Sequence, residues 1–307
     1  MRRTLIIILN WNNSKLSIDL AERIRFIEEK ESPTILIIDN NSSDDEKGKL
    51  MDFAHTRNYH VLKEELVNDN FVMGSTILFL NKNYGYAKGN NFGLRLAKKS
   101  NFQFSLISNN DIVVNEPVLE QLIESLLKSE KNALVGPRIV DKFGKQEGPF
   151  KKPGMFYQFW YLLFYPILFP ITRILNTSIR TNNVLPYRLP GSFLLFKTSH
   201  ISEIGFFDEN TFLYAEELII AEKLERKGYK TIFCPEVSVM HYHEGSTKKI
   251  DKKRRFEYHL ASDLYYFSEY RQFSKGKIFL ITFSRKVFFY LWEPIISFLQ
   301  KHRIKGR

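Results

Sequence analysis

Only one cysteine, Cys234, occurs in the 307 residues. A lone thiol excludes an internal disulfide and fits a reducing compartment; inside the strand-like run "KTIFCP" it reads as a small core residue. Long apolar runs are scarce as well. A spanning helix needs about 20 apolar residues. The charge-free stretch "MFYQFWYLLFYPILFPI" (155–171) has 17 residues and is broken by Pro166 and Pro170, so it reads as an interfacial or groove-lining insertion. "MRRTLIIILNWN" offers five apolar residues before Asn10, short of the core of about 7 to 15 that a signal peptide requires. The expected location is therefore cytoplasmic. There is no internal repeat, no low-complexity tract and no recognised RNA or DNA module, so nucleic acid is not an expected partner.

What is present is globular in composition, with 44% hydrophobic and 26% charged residues. The 27 Phe and 15 Tyr supply an aromatic excess. The net charge of +11 is uneven: from Asp251 to Arg307 there are 13 Lys or Arg against 5 Asp or Glu. Such a basic tail suggests an anionic partner, and its interleaved basic and large apolar residues match a helix lying in a headgroup layer. An aromatic helix pair packed on the rest of the chain is the competing reading.

Continuous β-branched runs at "TLIIIL" (4–9) and "TILIID" (34–39) read as strands buried on both faces of a parallel sheet. Between them Leu16, Leu20, Ile24 and Ile27 keep helical spacing, with Ser14 available as N-cap. "TILFLN" (76–81) and "FSLISN" (104–109) repeat the strand signal, each followed by a helical pattern. This βαβ alternation over 1–136 predicts an α/β architecture, a mostly parallel sheet flanked by helices. The expected organisation is a catalytic domain over 1–250, with an aromatic insertion at 150–185 and a second half at 186–250, then a basic amphipathic helical appendage at 251–307.

Ligands of open α/β sheets bind beyond the carboxyl ends of strands, and polar residues collect at those ends here: Asn10 and Asn12; Asp39 and Asn41; "NKNYGYAKGNN"; and Asn109, Asn110 and Asp111. Each group alone is ordinary turn chemistry; four in succession point to a site. Asp39 could accept hydrogen bonds from a nucleotide's imide or ribose. Gly85 and Gly89 would let backbone approach a ligand, and Lys88 would offset anionic charge. Asp111 is the expected ligand for Mg²⁺ or Mn²⁺. His241 and His243, two apart on a strand, would share a face, as metal or phosphate partners might be arranged.

Glu216 and Glu217 stand where an aromatic segment gives way to a helix. Carboxylates in a first turn can simply complement the helix dipole. Yet Glu217, Ile220, Ala221 and Leu224 share the inward stripe, while Glu216 projects about 100° away. An acid on an apolar stripe must be paired, hydrated in a cleft or functional, which favours Glu217.

In order along the chain, "ILNWN", "IIDNNSSDD", "NKNYGYAKGNNFGL", "ISNNDIVV", "LPGSFLLFK", "IGFFDENTFLYAEE" and "ERKGYKTIFCPEVSVMHYHEGS" resemble the family 2 glycosyltransferases of the GT-A (Rossmann-like) fold, especially bacterial rhamnosyltransferase-like enzymes. The resemblance covers residues 4 to about 247. It implies a nucleotide-diphosphate sugar donor (a dTDP- or UDP-sugar), Mg²⁺ or Mn²⁺, and inversion at the anomeric carbon. Carried over by position, it implies nucleotide contacts from Asn10, Asn12, Asp39, Asn41, Asn83, Gly85, Lys88, Asn90 and Asn110. Metal contacts fall to Asn109, Asp111 and His241. Acceptor contacts fall to Gly191, Ser192 and Glu216, and the catalytic base is Glu217. Four positions depart from the pattern: Asn109 replaces the first acid of the DxD-like motif, Glu replaces Asp at 217, Ile219 stands where a second acid is common, and Lys223 stands where Arg is common. With the basic tail, the expected acceptor is a lipid-linked saccharide at an anionic membrane surface, on the inner face of the cell membrane. A non-catalytic sugar-nucleotide-binding or scaffold subunit is the competing reading of another class.

Overall fold

A computed structural model describes residues 3–67, 74–169, 186–243 and 250–305. The chain divides into two compact units: Met1–Phe150 with Leu185–Asp251, and Lys151–Val184 with Lys252–Arg307. The aromatic stretch at 155–169 thus belongs with the basic tail rather than with the sheet.

The first unit is built on β1 (Thr4–Asn10), α1 (Ser14–Ile27), β2 (Thr34–Asp39), α2 (Asp44–Arg57), β3 (His60–Lys63), β4 (Thr76–Phe79), α3 (Gly85–Lys99), β5 (Phe104–Asn109), β6 (Ile112–Val114), α4 (Leu119–Leu127), β7 (Asn132–Asp141) and β8 (Gln146–Glu147). After the second unit's first segment come β9 (Phe193–Lys197), α5 (Thr198–Glu203), α6 (Glu216–Arg226) and β10 (Lys230–His241). Among the described residues the strands form one ten-stranded sheet in the order β3-β4-β2-β1-β5-β9-β7-β10-β6, with β8 paired to β7. The β-branched runs form the expected parallel half, Leu5 to Asn10 lying in register with Thr34 to Asp39 on one side and Thr4 to Leu9 with Phe104 to Asn109 on the other. Because strand side chains alternate, Ile6 and Ile8 enter one core layer, while Leu5 and Ile7 enter the layer on the opposite face. All four are fully buried.

At three places the structure adds to or changes the sequence reading. "SFLLFK" does form a strand, but β9 runs antiparallel to both β5 and β7; an apolar run carries no direction signal. β3 joins the edge through only one buried residue, Leu62, in a pattern too polar to announce itself. Ser14 is the first residue of α1 rather than its cap: its N–H donates to the Glu46 carboxylate (2.6 Å) and its hydroxyl to the Glu46 carbonyl (2.9 Å). The first turn of α1 is satisfied by α2, a long-range arrangement that a local capping rule does not see.

The second unit contains α7 (Lys252–Tyr265), α8 (Lys275–Val287) and α9 (Glu293–Lys305), and the π-helical turn Phe156–Trp160 and the helical turn Tyr161–Leu163 pack on α8. The carboxylate of buried Asp263 lies 2.7 Å from the Arg285 guanidinium and 2.9 Å from the His259 ring. Arg285 also donates to Gln158 (2.6 Å), and the Trp292 indole donates to the Leu163 carbonyl (2.9 Å). Arg285, which interrupts the apolar run, is therefore an internal ion-pair partner. No helix among the described residues is long and apolar enough to cross a membrane.

Candidate active site

From β1 the chain crosses to β2 on one side, while β5 lies on the other, so the carboxyl ends of β1 and β5 flank the switch point of the sheet. Asn10 ends β1 fully buried. Its amide donates to Asp39 (2.9 Å), Ser42 (3.2 Å) and Ser14 (3.3 Å), and its carbonyl oxygen accepts from Ser17 (2.9 Å). Asp39 accepts a second bond from the Ser42 N–H (3.0 Å). Asn12 and Asn41 both adopt left-handed φ, at 53° and 59°, a conformation Asn tolerates better than most residues. The Asn12 carbonyl oxygen accepts from the Ser43 N–H (2.8 Å), and the Asn41 side chain accepts from Lys47 (2.9 Å). Asn10 and Asp39 are thus joined at the carboxyl ends of β1 and β2, with Asn12 and Asn41 on the turns that follow.

The "NKNYGYAKGNN" segment is held by Asn40, which sequence reasoning left out of the site. Its amide donates to Asn83 (3.0 Å) and the Gly85 carbonyl (3.0 Å), and its oxygen accepts from the Tyr84 N–H (2.9 Å). Both glycines are required by the protein's own packing. At Gly85, with φ +77°, a Cβ would lie 2.1 Å from the Phe212 carbonyl oxygen, and at Gly89 a Cβ would lie 2.9 Å from Leu9. Lys88 lies 3.6 Å from Glu209 and over the Tyr84 ring at 4.8 Å. Asn110 turns toward Ser17 (3.1 Å) and the Asn13 carbonyl (3.3 Å). Asn90 donates to the Tyr86 carbonyl (3.0 Å), but its own side-chain oxygen is buried with no hydrogen-bond partner among the described residues.

Beyond β5 the chain reverses into β6, which pairs antiparallel with β10 so that Ile112 faces His241. This brings Asp111 and His241 together. His241 Nε2 lies 3.2 Å from the Asp111 carboxylate, and its Nδ1 lies 3.2 Å from Glu147. His243 contacts the other Glu147 oxygen, and the two imidazoles lie 3.9 Å apart between centroids, tilted by 41°. Burial disfavours a charged His241 ring, but the hydrogen bonds to Asp111 and Glu147 outweigh it and raise its pKa to about 9. Burial likewise works against the Glu147 carboxylate, and the two histidines overcome it and hold its pKa down. One ligand atom each from Glu147, His241 and His243 falls within 4.8 Å of the others. Carboxylate oxygens suit Mg²⁺ or Mn²⁺, and the imidazoles tilt the donor set toward a transition ion such as Mn²⁺. Glu147 was missed because "DKFGKQEG" reads as a polar turn; it is a hairpin that folds β8 back onto β7 and carries the carboxylate to β10.

On the other side of Asn109, its N–H donates to the Ser192 carbonyl (2.9 Å), and the neighbouring Gly191 N–H donates to Glu217 (3.1 Å). The path from Asp111 to Glu217 is therefore short, running through Asn109, Ser192 and Gly191. The Ser192 hydroxyl is buried with no hydrogen-bond partner among the described residues. Unsatisfied buried polar atoms such as those of Ser192 and Asn90 need a ligand, water or ion to explain them. Before α6, Tyr214 and Ala215 take φ of 74° and 64° in succession, a strained approach of the kind found at functional sites. The two acids exchange the expected environments: Glu216 is buried at 6% exposure, whereas Glu217 is half-buried against Gly191. The kinked entry through Ala215 rotates the first turn away from the orientation that a regular stripe predicts. Ile219 is fully buried core, and no second acid stands at this position. Lys223, on the far side of α6, donates to the Phe206 carbonyl (2.6 Å).

No family model matches the chain. It is 24% identical over 163 residues to the low-salt glycan biosynthesis hexosyltransferase Agl10 of Haloferax volcanii, a match covering 52% of this chain and 49% of that protein. It is 30% identical over 77 residues to an N-acetylglucosaminyl-diphospho-decaprenol L-rhamnosyltransferase of Mycobacterium tuberculosis, covering 24% of this chain and 25% of that one. The matches thus span about half and a quarter of these relatives. Among solved structures, the mannosyltransferase PcManGT of Pyrobaculum calidifontis, in complex with GDP-Man and Mn²⁺, superposes with a TM-score of 0.55 at 14% identity, over 94% of this chain and 69% of that one. GalNAc-T7 with UDP, GalNAc and Mn²⁺ superposes with a TM-score of 0.59 at 15% identity, over 98% and 58%. The shared fold is GT-A.

Proposed function

We propose, from the GT-A glycosyltransferase fold that this chain carries, that it moves a sugar from a nucleotide-diphosphate donor to a saccharide hydroxyl with inversion at the anomeric carbon. The donor is a dTDP- or UDP-sugar carrying rhamnose or another hexose. The observation that carries the reading is the short path joining the Asp111–His241–Glu147 cluster to Glu217 through Asn109, Ser192 and Gly191.

In this reading Glu217 takes the proton of the acceptor hydroxyl as that oxygen forms its bond to the anomeric carbon, and the bond to the diphosphate oxygen breaks on the opposite face. Asp39, whose carboxylate keeps acceptor capacity beyond its two internal bonds, holds the nucleoside with Asn12 and Asn41 on the flanking turns. Asp111 and His241, with Glu147 and His243 beside them, would hold Mg²⁺ or Mn²⁺. When bound, the cation offsets the negative charge of the leaving diphosphate. Gly191, Ser192 and Glu216 border the acceptor.

The second unit supports a lipid-linked acceptor and attachment to an anionic membrane surface on the cytoplasmic side. It leaves Trp160, Phe164, Ile167, Phe279, Phe283, Tyr290, Leu291 and Phe298 exposed, and Lys275, Lys277 and Lys286 are exposed on α8. Exposed apolar surface with interspersed lysines suits insertion at headgroup depth.

The test is a panel of nucleotide sugars screened with Mn²⁺ for thermal stabilisation, since a donor that binds the folded state raises its melting temperature. With the donor so found, Glu217→Gln should keep the stabilisation and lose transfer by about 10² to 10⁴-fold, the usual worth of a general base. Near-normal turnover by that variant refutes the assignment.

A further inference from the structure

Glu217 lies on a backbone N–H, and the residue supplying it, Gly191, is held from its other side. The Tyr86 hydroxyl donates to the Gly191 carbonyl (2.6 Å), while the Gly191 N–H donates to Glu217 (3.1 Å). A Cβ at Gly191 would lie 2.7 Å from the nearer Glu217 oxygen, so the carboxylate occupies the space a side chain would take. Tyr86 is itself pinned twice. Its N–H donates to the Phe212 carbonyl (2.9 Å), on the segment leading to the acid pair, and its ring meets Phe207 edge-on at 6.0 Å.

We propose that Tyr86 is a positioning residue for Glu217: by anchoring the Gly191 carbonyl it fixes the N–H that orients the carboxylate. The first turn of α3 thereby touches the acid pair from two directions, through Phe212 and through Gly191. Burial, and then the charges of Glu216 and Glu217, push the Tyr86 pKa well above the ordinary phenol range, so the hydroxyl remains a donor throughout the pH range in which an enzyme works. This inference rests on Glu217 acting as the base.

The sequence itself supplies the probe. Glycine follows proline at Gly154 and Gly191 alone, so the full chain labelled with carbonyl-¹³C proline and ¹⁵N glycine gives two selectable amide signals. In the wild type the Gly191 amide proton should shift with pH through a single carboxyl titration, and Glu217→Gln should abolish that shift. In Tyr86→Phe the shift should fall by more than half and solvent exchange at Gly191 should rise at least tenfold, with the Gly154 signal and melting temperature retained. A wild-type pH response and exchange rate at Gly191 in Tyr86→Phe overturns the proposal. Should that variant not fold, uniform 3-fluorotyrosine in the wild type acidifies the phenol while nearly preserving its shape; an unmoved Gly191 amide then overturns it equally. These measurements need neither donor nor acceptor, so their failure is separate from failure of the transfer reading. With a donor in hand, Tyr86→Phe should lower kcat at least tenfold with donor KM within twofold, and should add nothing in a Glu217→Gln background. A further loss in that background also refutes positioning through Glu217.

Discussion

In the first unit, buried polar groups collect along the carboxyl edge of one sheet. Asn10, Asp39, Asn40, Asp111 and His241 are each under about a tenth exposed, and they pair in separate groups, Asn10 with Asp39, Asn40 with Asn83, and Asp111 with His241. In the second unit the proportions differ: one ion cluster, buried Asp263 with Arg285 and His259, ties helices that bury Tyr266, Phe267 and Ile281 but leave Phe279, Phe283 and Phe298 outside. The same chain therefore places its buried charges along a sheet edge in one unit and between helices in the other. Burial of charge in the sheet unit comes with unsatisfied atoms at Asn90 and Ser192 and with strained backbone at Tyr214 and Ala215, the signs of a surface shaped for something else to occupy. In the helical unit, exposure of Phe279 at 68% and Phe298 at 62% signals a surface shaped to be covered.

The sharpest way to separate the two is to break the ion cluster. Asp263→Ala leaves the Arg285 guanidinium, itself 15% exposed, without its carboxylate. Removing one member of a buried pair costs about 3 to 5 kcal/mol. The expected result is a large loss of denaturant resistance in the helical unit, with Mn²⁺-dependent donor stabilisation of the sheet unit intact. Asp263→Leu combined with Arg285→Met should recover most of the loss. If Asp263→Ala abolishes donor binding too, the units do not divide the work as described.

A smaller effect is expected from the exposed face. Phe279→Ser with Phe283→Ser removes two rings that contribute little to folding, so stability should change by under about 0.5 kcal/mol per site. Binding to vesicles containing anionic phospholipid, read by co-sedimentation, should weaken by about tenfold or more, because each ring that enters the interface contributes apolar burial. Unchanged sedimentation removes the membrane reading and leaves the catalytic one standing.

Much of the sheet unit was legible because its signals are local. "TLIIIL" and "TILIID" are buried on both faces as continuous β-branched runs should be, and Asp111 and His241 do meet. What escaped was set by distance along the chain. Glu147 reaches the histidines from 94 residues away, and Tyr86 reaches Gly191 from 105; no spacing rule spans such intervals. The orientation of the acid pair failed for a different reason. Helical periodicity assumes a regular first turn, and two successive left-handed residues rotate that turn. The internal role of Arg285 escaped notice because its partner Asp263 lies 22 positions earlier on another helix.

The smallest predicted effect tests whether the long-range clasp between α1 and α2 contributes to the stability of the sheet unit. Burial alone would raise the Glu46 pKa, but the Ser14 N–H and the Lys49 ammonium hold it down to about 2 from an ordinary 4.5. A carboxylate whose folded pKa lies below its unfolded one binds protons more readily when unfolded, so its contribution is complete above about pH 4.5 and is lost as pH falls toward 2. Wild-type stability should therefore decline across that window more steeply than that of Glu46→Gln, and the two curves should run parallel above pH 5. Glu46→Gln keeps an acceptor for the Ser14 N–H but discards the charge, so the gap between the curves isolates the ionised carboxylate. A gap that does not narrow between pH 4.5 and 2 would mean that Ser14 is held by packing of α1 on α2 and owes nothing to the Glu46 charge.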